Sequence, residues 1–113
     1  MKTTKRMEKD VAVISLSGKL MGGPDAESVR QIVRETLEEG ARKIVIDISG
    51  VSWVNSTGLG ILIAGHVTAA NAGARLKLTG VSARIRQIFM VTKLHTVFDT
   101  CESVEEALES FSS

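Results

Sequence analysis

The fold is decided by the stretch KIVIDISGVSWVNSTGLGILIAG, which occupies residues 43–65. Its first six residues, 43–48, hold an unbroken run of branched apolar side chains, which is typical of a strand buried on both faces. After a predicted loop around Trp53, residues 56–72 show apolar side chains at helical spacing. A buried strand that leads into an uncharged helix predicts the centre of an α/β sheet. The apolar stripe of the helix is predicted to be Leu59, Leu62, Ile63 and Val67.

Upstream of this stretch, the sequence predicts a hairpin and a helix. Residues 11–20 (VAVISLSGKL) are rich in branched apolar side chains, and we expect this strand to pair with residues 2–7 across a turn. Pro24 suits the first turn of a helix, and Gly40 suits its end.

Downstream, strand and helix signals continue to alternate. Residues 75–79 alternate apolar and polar side chains, which predicts a half-buried strand. A helix from Ser82, a short strand at Val97-Phe98 and a helix opened by a capping box at Ser103 follow. Four strand–helix units after an N-terminal strand extension predict the α/β class, with a mixed β-sheet in one domain over residues 1–113.

Composition and charge exclude several classes of protein. With 43% hydrophobic and 24% charged residues, the chain has the proportions of a soluble globular domain. A net charge of +1 is too small for general affinity to nucleic acid, which usually needs a strongly basic face. Residues 48–74 carry no charge, but their glycines and polar residues favour a buried segment over direct membrane insertion. No signal-peptide core follows the charged N-terminus, so we expect a cytoplasmic protein.

The motifs of catalysis and cofactor binding are missing. The sequence contains no GxxxxGK[ST] or GxGxxG phosphate loop and no GxSxG nucleophile elbow. His66, His95 and Cys101 lack the spacing of metal ligands. The sequence therefore predicts a protein that is not an enzyme and that holds no metal or cofactor.

Three consecutive small polar residues, Asn55, Ser56 and Thr57, stand where the central helix must begin. Asn or Ser at this point can cap the helix by accepting hydrogen bonds from its first free N–H groups. Alternatively, a hydroxyl at the positive end of the helix dipole is a place that tolerates phosphate. Gly58 and Gly60 each cost a helix about 1 kcal/mol relative to Ala, so a close backbone approach or an open binding surface must offset that cost.

At these residues the chain resembles the STAS domain family, in the form found in bacterial anti-sigma factor antagonists. The resemblance rests on the blocks ISLSGKL, KIVIDISGVSWVNSTGLGILI and LKLTGVSARIRQIFMVTKLHTVFDTCESVEEAL, which cover nearly the whole chain. The family pattern in the central block is Asp-Ser-Ser/Thr-Gly-Leu-Gly, and the serine after the acidic residue is phosphorylated. That serine corresponds to Ser56, and Thr57, Gly58, Leu59 and Gly60 match the remaining positions.

The resemblance implies a switch that works by protein binding. The unphosphorylated antagonist would bind an anti-sigma factor, often itself a serine kinase, and thereby release the sigma factor. Phosphorylation at Ser56 would end the interaction, and a metal-dependent serine phosphatase would reverse it. We expect the partner-binding surface to comprise Met21, Trp53, Asn55, Ser56, Thr57, Gly58, Leu59 and Gly60.

Two departures from the family pattern leave a second function open. Asn55 stands where the antagonists usually carry Asp, and Gly18-Lys19-Leu20-Met21 replaces Gly-Glu-Leu-Asp. The alternative is a STAS interaction subunit of a transporter or stress-sensing complex, in which Ser56 is never phosphorylated. Trp53 also has two interpretations: a packed loop residue, or an exposed aromatic anchor, since tryptophan is enriched at binding hot spots.

Overall fold

The sheet has five strands whose spatial order equals their order along the chain. This arrangement comes from a computed structural model that describes residues 1–112. The strands are β1 (Lys2–Glu8), β2 (Val11–Leu20), β3 (Lys43–Val54), β4 (Arg75–Thr79) and β5 (Asp99–Cys101). The helices are α1 (Pro24–Glu38), α2 (Ser56–Asn71), α3 (Ala83–Thr92) and α4 (Val104–Ser112), with a short 3-10 helix at Leu94–Thr96.

Strand directions confirm the predicted mixed sheet of four strand–helix units behind an N-terminal strand. β1 runs antiparallel to β2, with Lys2 opposite Ser17 and Glu8 opposite Val11. Every later neighbouring pair of strands is parallel. Parallel neighbours need a crossover connection, and a helix supplies it after each strand from β2 to β4.

Hydrophobic layers form on both faces of the sheet. α1, α2 and α3 cover the larger layer, in which Ile44 and Ile46 of β3 are buried. α4 covers the smaller layer, in which Val45 packs with Ala107 and Phe111. Consecutive residues of β3 therefore contribute to opposite layers, which confirms the prediction that this strand is buried on both faces.

β3 is longer than predicted, because the predicted loop around Trp53 is the second half of the strand. β2 stays paired with it as far as Leu20 opposite Val54, through two irregularities in the register. Gly50 permits this close pairing, since a Cβ there would lie 2.8 Å from the Cβ of Ser17. The exposed residues of this half lie on an irregular strand, where strict alternation breaks down.

β4 is buried on both faces, so the prediction of a half-buried strand is wrong. The stem of Lys77 is buried, while its Nζ lies 3.2 Å from a carboxylate oxygen of Asp99 and 4.8 Å from the ring centre of Phe111. Thr79, the other polar residue of the pattern, donates a hydrogen bond of 3.2 Å to the carboxylate of Asp47. Polar side chains with such partners can occupy buried positions, so the alternation in the sequence was misleading.

Two further predictions are corrected near the surface. The short strand is Asp99–Cys101 and not Val97-Phe98, because Phe98 turns into the core after the 3-10 helix. Val67 is 47% exposed, so it does not belong to the buried face of α2. The buried face of α2 instead combines two large apolar residues with three small ones: Gly58, Ile61, Leu62, Gly65 and Ala69.

The uncharged segment around α2 does not form a membrane helix. Among residues 1–112, no helix combines the length and the apolar character that crossing a membrane requires. The uncharged helix α2 packs closely against the core on one face and lies at the surface on the other.

Candidate functional site

The ends of β2 and β3 form the edge of the sheet at which the predicted site lies. Pairing of β3 with β4 stops at Asp47 opposite Thr79, whereas pairing of β2 with β3 continues to Leu20 opposite Val54. β2 and β3 therefore project beyond β4. The loop after β2 and the start of α2 meet at this projecting end.

Asn55 is the N-cap of α2, and its hydrogen bonds connect the start of this helix to the loop after β2. Its Oδ1 accepts a hydrogen bond of 2.8 Å from the N–H of Gly58, and its Nδ2 donates one of 3.3 Å to the carbonyl oxygen of Met21. Its backbone N–H donates to the carbonyl oxygen of Leu20 at 3.5 Å. An amide side chain supplies an acceptor and a donor at once, which an ionised aspartate cannot do. Of the two capping residues that the sequence left open, the structure selects Asn55.

Ser56 is the first residue of α2, and its exposed hydroxyl makes no hydrogen bond within residues 1–112. The backbone N–H groups of Ser56 and Thr57 also donate to no acceptor in this part of the chain. No acidic side chain occupies the first turn of α2. The positive end of the helix dipole therefore lies open at this hydroxyl, and the helix would stabilise a negative charge added there.

At Thr57 and Gly58, the start of α2 lies in close contact with the end of β2 and the loop that follows it. A Cβ on Gly58 would lie 2.0 Å from the carbonyl oxygen of Leu20, so only glycine permits this approach. A Cβ on Gly22 would lie 2.7 Å from the methyl group of Thr57, and its φ of +110° also favours glycine. Gly58 is buried, so its part in the predicted surface is to position its neighbours.

Leu59 and Gly60 lie on different sides of α2. Leu59 packs in part against the core, whereas Gly60 is exposed and a Cβ there would contact nothing within 4 Å. Packing within the fold therefore gives no reason for glycine at position 60. Of the two explanations offered by the sequence, an open surface at the helix start is the one that fits this residue.

Met21 and Trp53 add apolar surface beside this junction. Each is 42% exposed, so Trp53 is the exposed aromatic residue and not a packed one. Arg84, from the first turn of α3, places its guanidinium carbon 5.2 Å from the centre of the indole ring, which is a cation–π contact. Arg84 could not be predicted from the sequence, because no sequence signal shows that α3 begins beside the projecting end of β3.

Replacing Asn55 with Ala is expected to lower the free energy of unfolding by about 0.5–2 kcal/mol, because the helix cap is lost. Ser56→Ala is the matched control. The Ser56 hydroxyl makes no hydrogen bond within residues 1–112, so we expect a cost within about 0.5 kcal/mol, as for an ordinary surface change. Urea unfolding followed by circular dichroism measures both variants. Equal losses would contradict the assignment of Asn55 as the cap.

The fluorescence of Trp53 is expected to be that of a partly water-exposed indole that iodide can quench, since the side chain is 42% exposed. Trp53 is the only tryptophan, so the signal reports on this surface alone. When a partner covers the surface, the emission should move to shorter wavelength and quenching should fall. Emission typical of buried indole, unchanged by partner binding, would contradict the exposed placement.

These features define a class of protein: a small α/β domain that exposes, at the start of its central helix, a hydroxyl with no hydrogen bond within residues 1–112. The chain belongs to the STAS domain family, whose family model matches residues 2–107. It is 34% identical over 83 residues to the anti-sigma-B factor antagonist of Staphylococcus aureus, and the match covers 73% of each chain.

Solved structures share the fold. An anti-sigma factor antagonist from Mycobacterium paratuberculosis superposes with a TM-score of 0.85 at 22% identity, covering 99% of this chain and 94% of that one. The phosphorylated form of the Bacillus cell fate determinant SpoIIAA gives a TM-score of 0.74 at 21% identity, covering 97% and 99%. The match to the family model and the Staphylococcus aureus relative confirm the family resemblance inferred from the sequence motifs.

Proposed function

We propose that this chain is an anti-sigma factor antagonist whose binding is switched off by phosphorylation at Ser56. The unphosphorylated form binds an anti-sigma factor and thereby frees the sigma factor. The observation that carries this proposal is the Ser56 hydroxyl, which is exposed at the open start of α2 and makes no hydrogen bond within residues 1–112. The name of the Staphylococcus aureus relative supports it.

The switch works by adding negative charge to a helix start whose own residues carry none. Residues 55–60 carry no charged side chain, and the exposed Met21 and Trp53 extend this surface. A phosphate adds about −1.5 to −2 charges. The free N–H groups of α2 accommodate it, whereas a partner packed over the same residues would bury the charge without a counter-charge. The fold is therefore retained and binding is lost.

In this scheme the chain is a binding protein and not an enzyme, and it needs no cofactor. An anti-sigma factor that is itself a serine kinase transfers phosphate from ATP to the Ser56 hydroxyl, and a metal-dependent serine phosphatase removes it. The scheme involves no nucleic acid and no direct insertion into a membrane. Asn55, Gly58 and Leu59 hold the site in position, while recognition uses the exposed residues Met21, Trp53, Ser56, Thr57 and Gly60.

The test is to incubate the chain with its anti-sigma factor and Mg-ATP, and to map phosphate by mass spectrometry. We expect one phosphate on Ser56, none on the Ser56→Ala variant and unchanged modification of Thr57→Ala. Phosphate on Thr57 alone would overturn the assignment. Tight binding without any phosphorylation would favour the alternative, an interaction subunit of a transporter or stress-sensing complex.

A further inference from the structure

The outer face of α3 carries an open groove that the switch does not use. Its volume is about 300 Å³, and its lining combines apolar and polar side chains: Arg84, Gln87, Ile88, Val91 and Thr92. Val91 is 79% exposed, which is the highest value among the large hydrophobic residues within 1–112. Ile88 and Val91 are three residues apart on a helix, so they lie on one side of α3 and form a continuous apolar strip.

This groove is continuous with the surface around Ser56. Arg84 lines the groove, and its guanidinium carbon also lies 5.2 Å from the centre of the Trp53 ring. The stacking orders the Arg84 side chain in advance, so a partner that binds its guanidinium loses less side-chain entropy. Arginine and tryptophan are the residue types that most often dominate binding energy at interfaces.

The segment that carries α3 has no acidic side chain of its own. Residues 48–98 contain no Asp or Glu. Arg86 has a carboxylate of Glu102 at 3.9 Å. Arg84 has no carboxylate within 4 Å among residues 1–112. A positive charge beside an exposed apolar strip, with no acidic neighbour, is complementary to an acidic and amphipathic partner.

We propose that the α3 groove docks an acidic amphipathic helix of the anti-sigma factor. Apolar side chains of that helix cover Ile88 and Val91, and a carboxylate at its edge binds the guanidinium of Arg84. This is the helix-in-groove mode of recognition, in which side chains spaced by one turn anchor the helix. The inference rests on the proposed function, since the docked helix belongs to the same partner that contacts the Ser56 surface.

Two synthetic amphipathic peptides serve as probes, one with Leu on one face and Glu on the other, and one with Lys in place of every Glu. Trp53 fluorescence follows the titration, and NMR shifts locate the bound peptide. We expect the Glu peptide to bind on α3 at least about tenfold more tightly than the Lys peptide, and its affinity to fall with added salt. Equal affinities, or shifts that avoid α3, would overturn the proposal.

A matched pair of variants tests the groove itself. Val91→Glu places a charge in the groove, whereas Met90→Glu places the same charge on the same helix at a 55% exposed residue that does not line it. Both positions are exposed, so thermal melting should show that both variants fold. We expect Val91→Glu and Arg84→Gln to weaken binding of the Glu peptide about tenfold or more, and Met90→Glu to change it by less than about twofold. Equal effects of Val91→Glu and Met90→Glu would contradict the assigned groove.

The same variants, measured against the intact anti-sigma factor, separate this inference from the proposed function. If wild-type chain does not bind the anti-sigma factor, the proposed function fails, whatever the peptides do. If it binds and Val91→Glu binds equally well, the groove inference alone fails. Self-association of the chain in sedimentation experiments, removed by Val91→Glu, would assign the groove to a second copy and would also overturn the inference.

Discussion

Ser56→Asp is expected to weaken binding to the anti-sigma factor by about 100-fold or more, while the variant folds at least as well as the wild type. The carboxylate suits the open start of α2, where no acidic side chain occupies the first turn. Covering it with a partner buries a charge without a counter-charge, which costs several kcal/mol, and each 1.4 kcal/mol or so is about tenfold in affinity. Phosphate carries about twice the charge of Asp, so true phosphorylation should act more strongly.

Ser56→Asn is the control for this effect, because it adds a side chain of nearly the same size without charge. We expect it to bind within about tenfold of wild type, since it lacks the buried-charge penalty. Isothermal titration calorimetry with the anti-sigma factor gives the affinities, and thermal unfolding gives the stabilities. If Ser56→Asp binds as tightly as wild type, or if Ser56→Asn is equally impaired, charge at this position is not the switch.

Gly58→Ala is expected to destabilise the fold by about 1–3 kcal/mol or more, as overpacking does, although Ala is the better helix former by about 1 kcal/mol. A Cβ there would lie 2.0 Å from the carbonyl oxygen of Leu20, so the first turn of α2 must move away from β2. That movement also strains the hydrogen bond of Asn55 to Met21, which is 3.3 Å long. Stability and partner binding should therefore fall together.

Gly60→Ala is the matched control on the same helix. A Cβ there meets nothing within 4 Å, so the variant should gain up to about 1 kcal/mol from helix propensity. Urea unfolding with fitted midpoints and slopes compares the two variants. If Gly58→Ala proves as stable as Gly60→Ala, the start of α2 does not press against the end of β2 as described.

Local patterns in the sequence were sufficient to predict the helices and strands in order. Apolar spacing and cap residues placed helix starts at Pro24, at Ser82 and at the Ser103 capping box, each within one residue of where α1, α3 and α4 begin. The strand at 11–20 was predicted with the bounds that the structure shows. These features depend on each residue and its near neighbours along the chain, and a sequence displays such neighbours directly.

The sequence predicted which residue types form the candidate site, but not which distant residues contact them. Small polar residues before an uncharged helix indicated a capped helix start at residues 55–57, and the resemblance to the STAS family pattern singled out Ser56 among them. The donor role of the Asn55 amide toward Met21 could not be foreseen, because it requires the loop after β2 to lie at that amide. The same holds for Arg84, which reaches Trp53 only because β3 projects beyond β4.

The sequence by itself determined the order of elements, the α/β class and the presence of a polar helix start at residues 55–57, because short-range periodicity and capping specify them. Tertiary structure alone decided that β3 continues through Trp53, that Lys77 is buried and that Gly58 must remain glycine. Each of those outcomes depends on a contact with a distant segment. β2 pairs with the second half of β3, the Asp99 carboxylate lies beside the Lys77 ammonium group, and the Leu20 carbonyl oxygen lies against Gly58. Contacts between segments far apart in the chain leave no periodic signal, so packing, and not pattern, determines them.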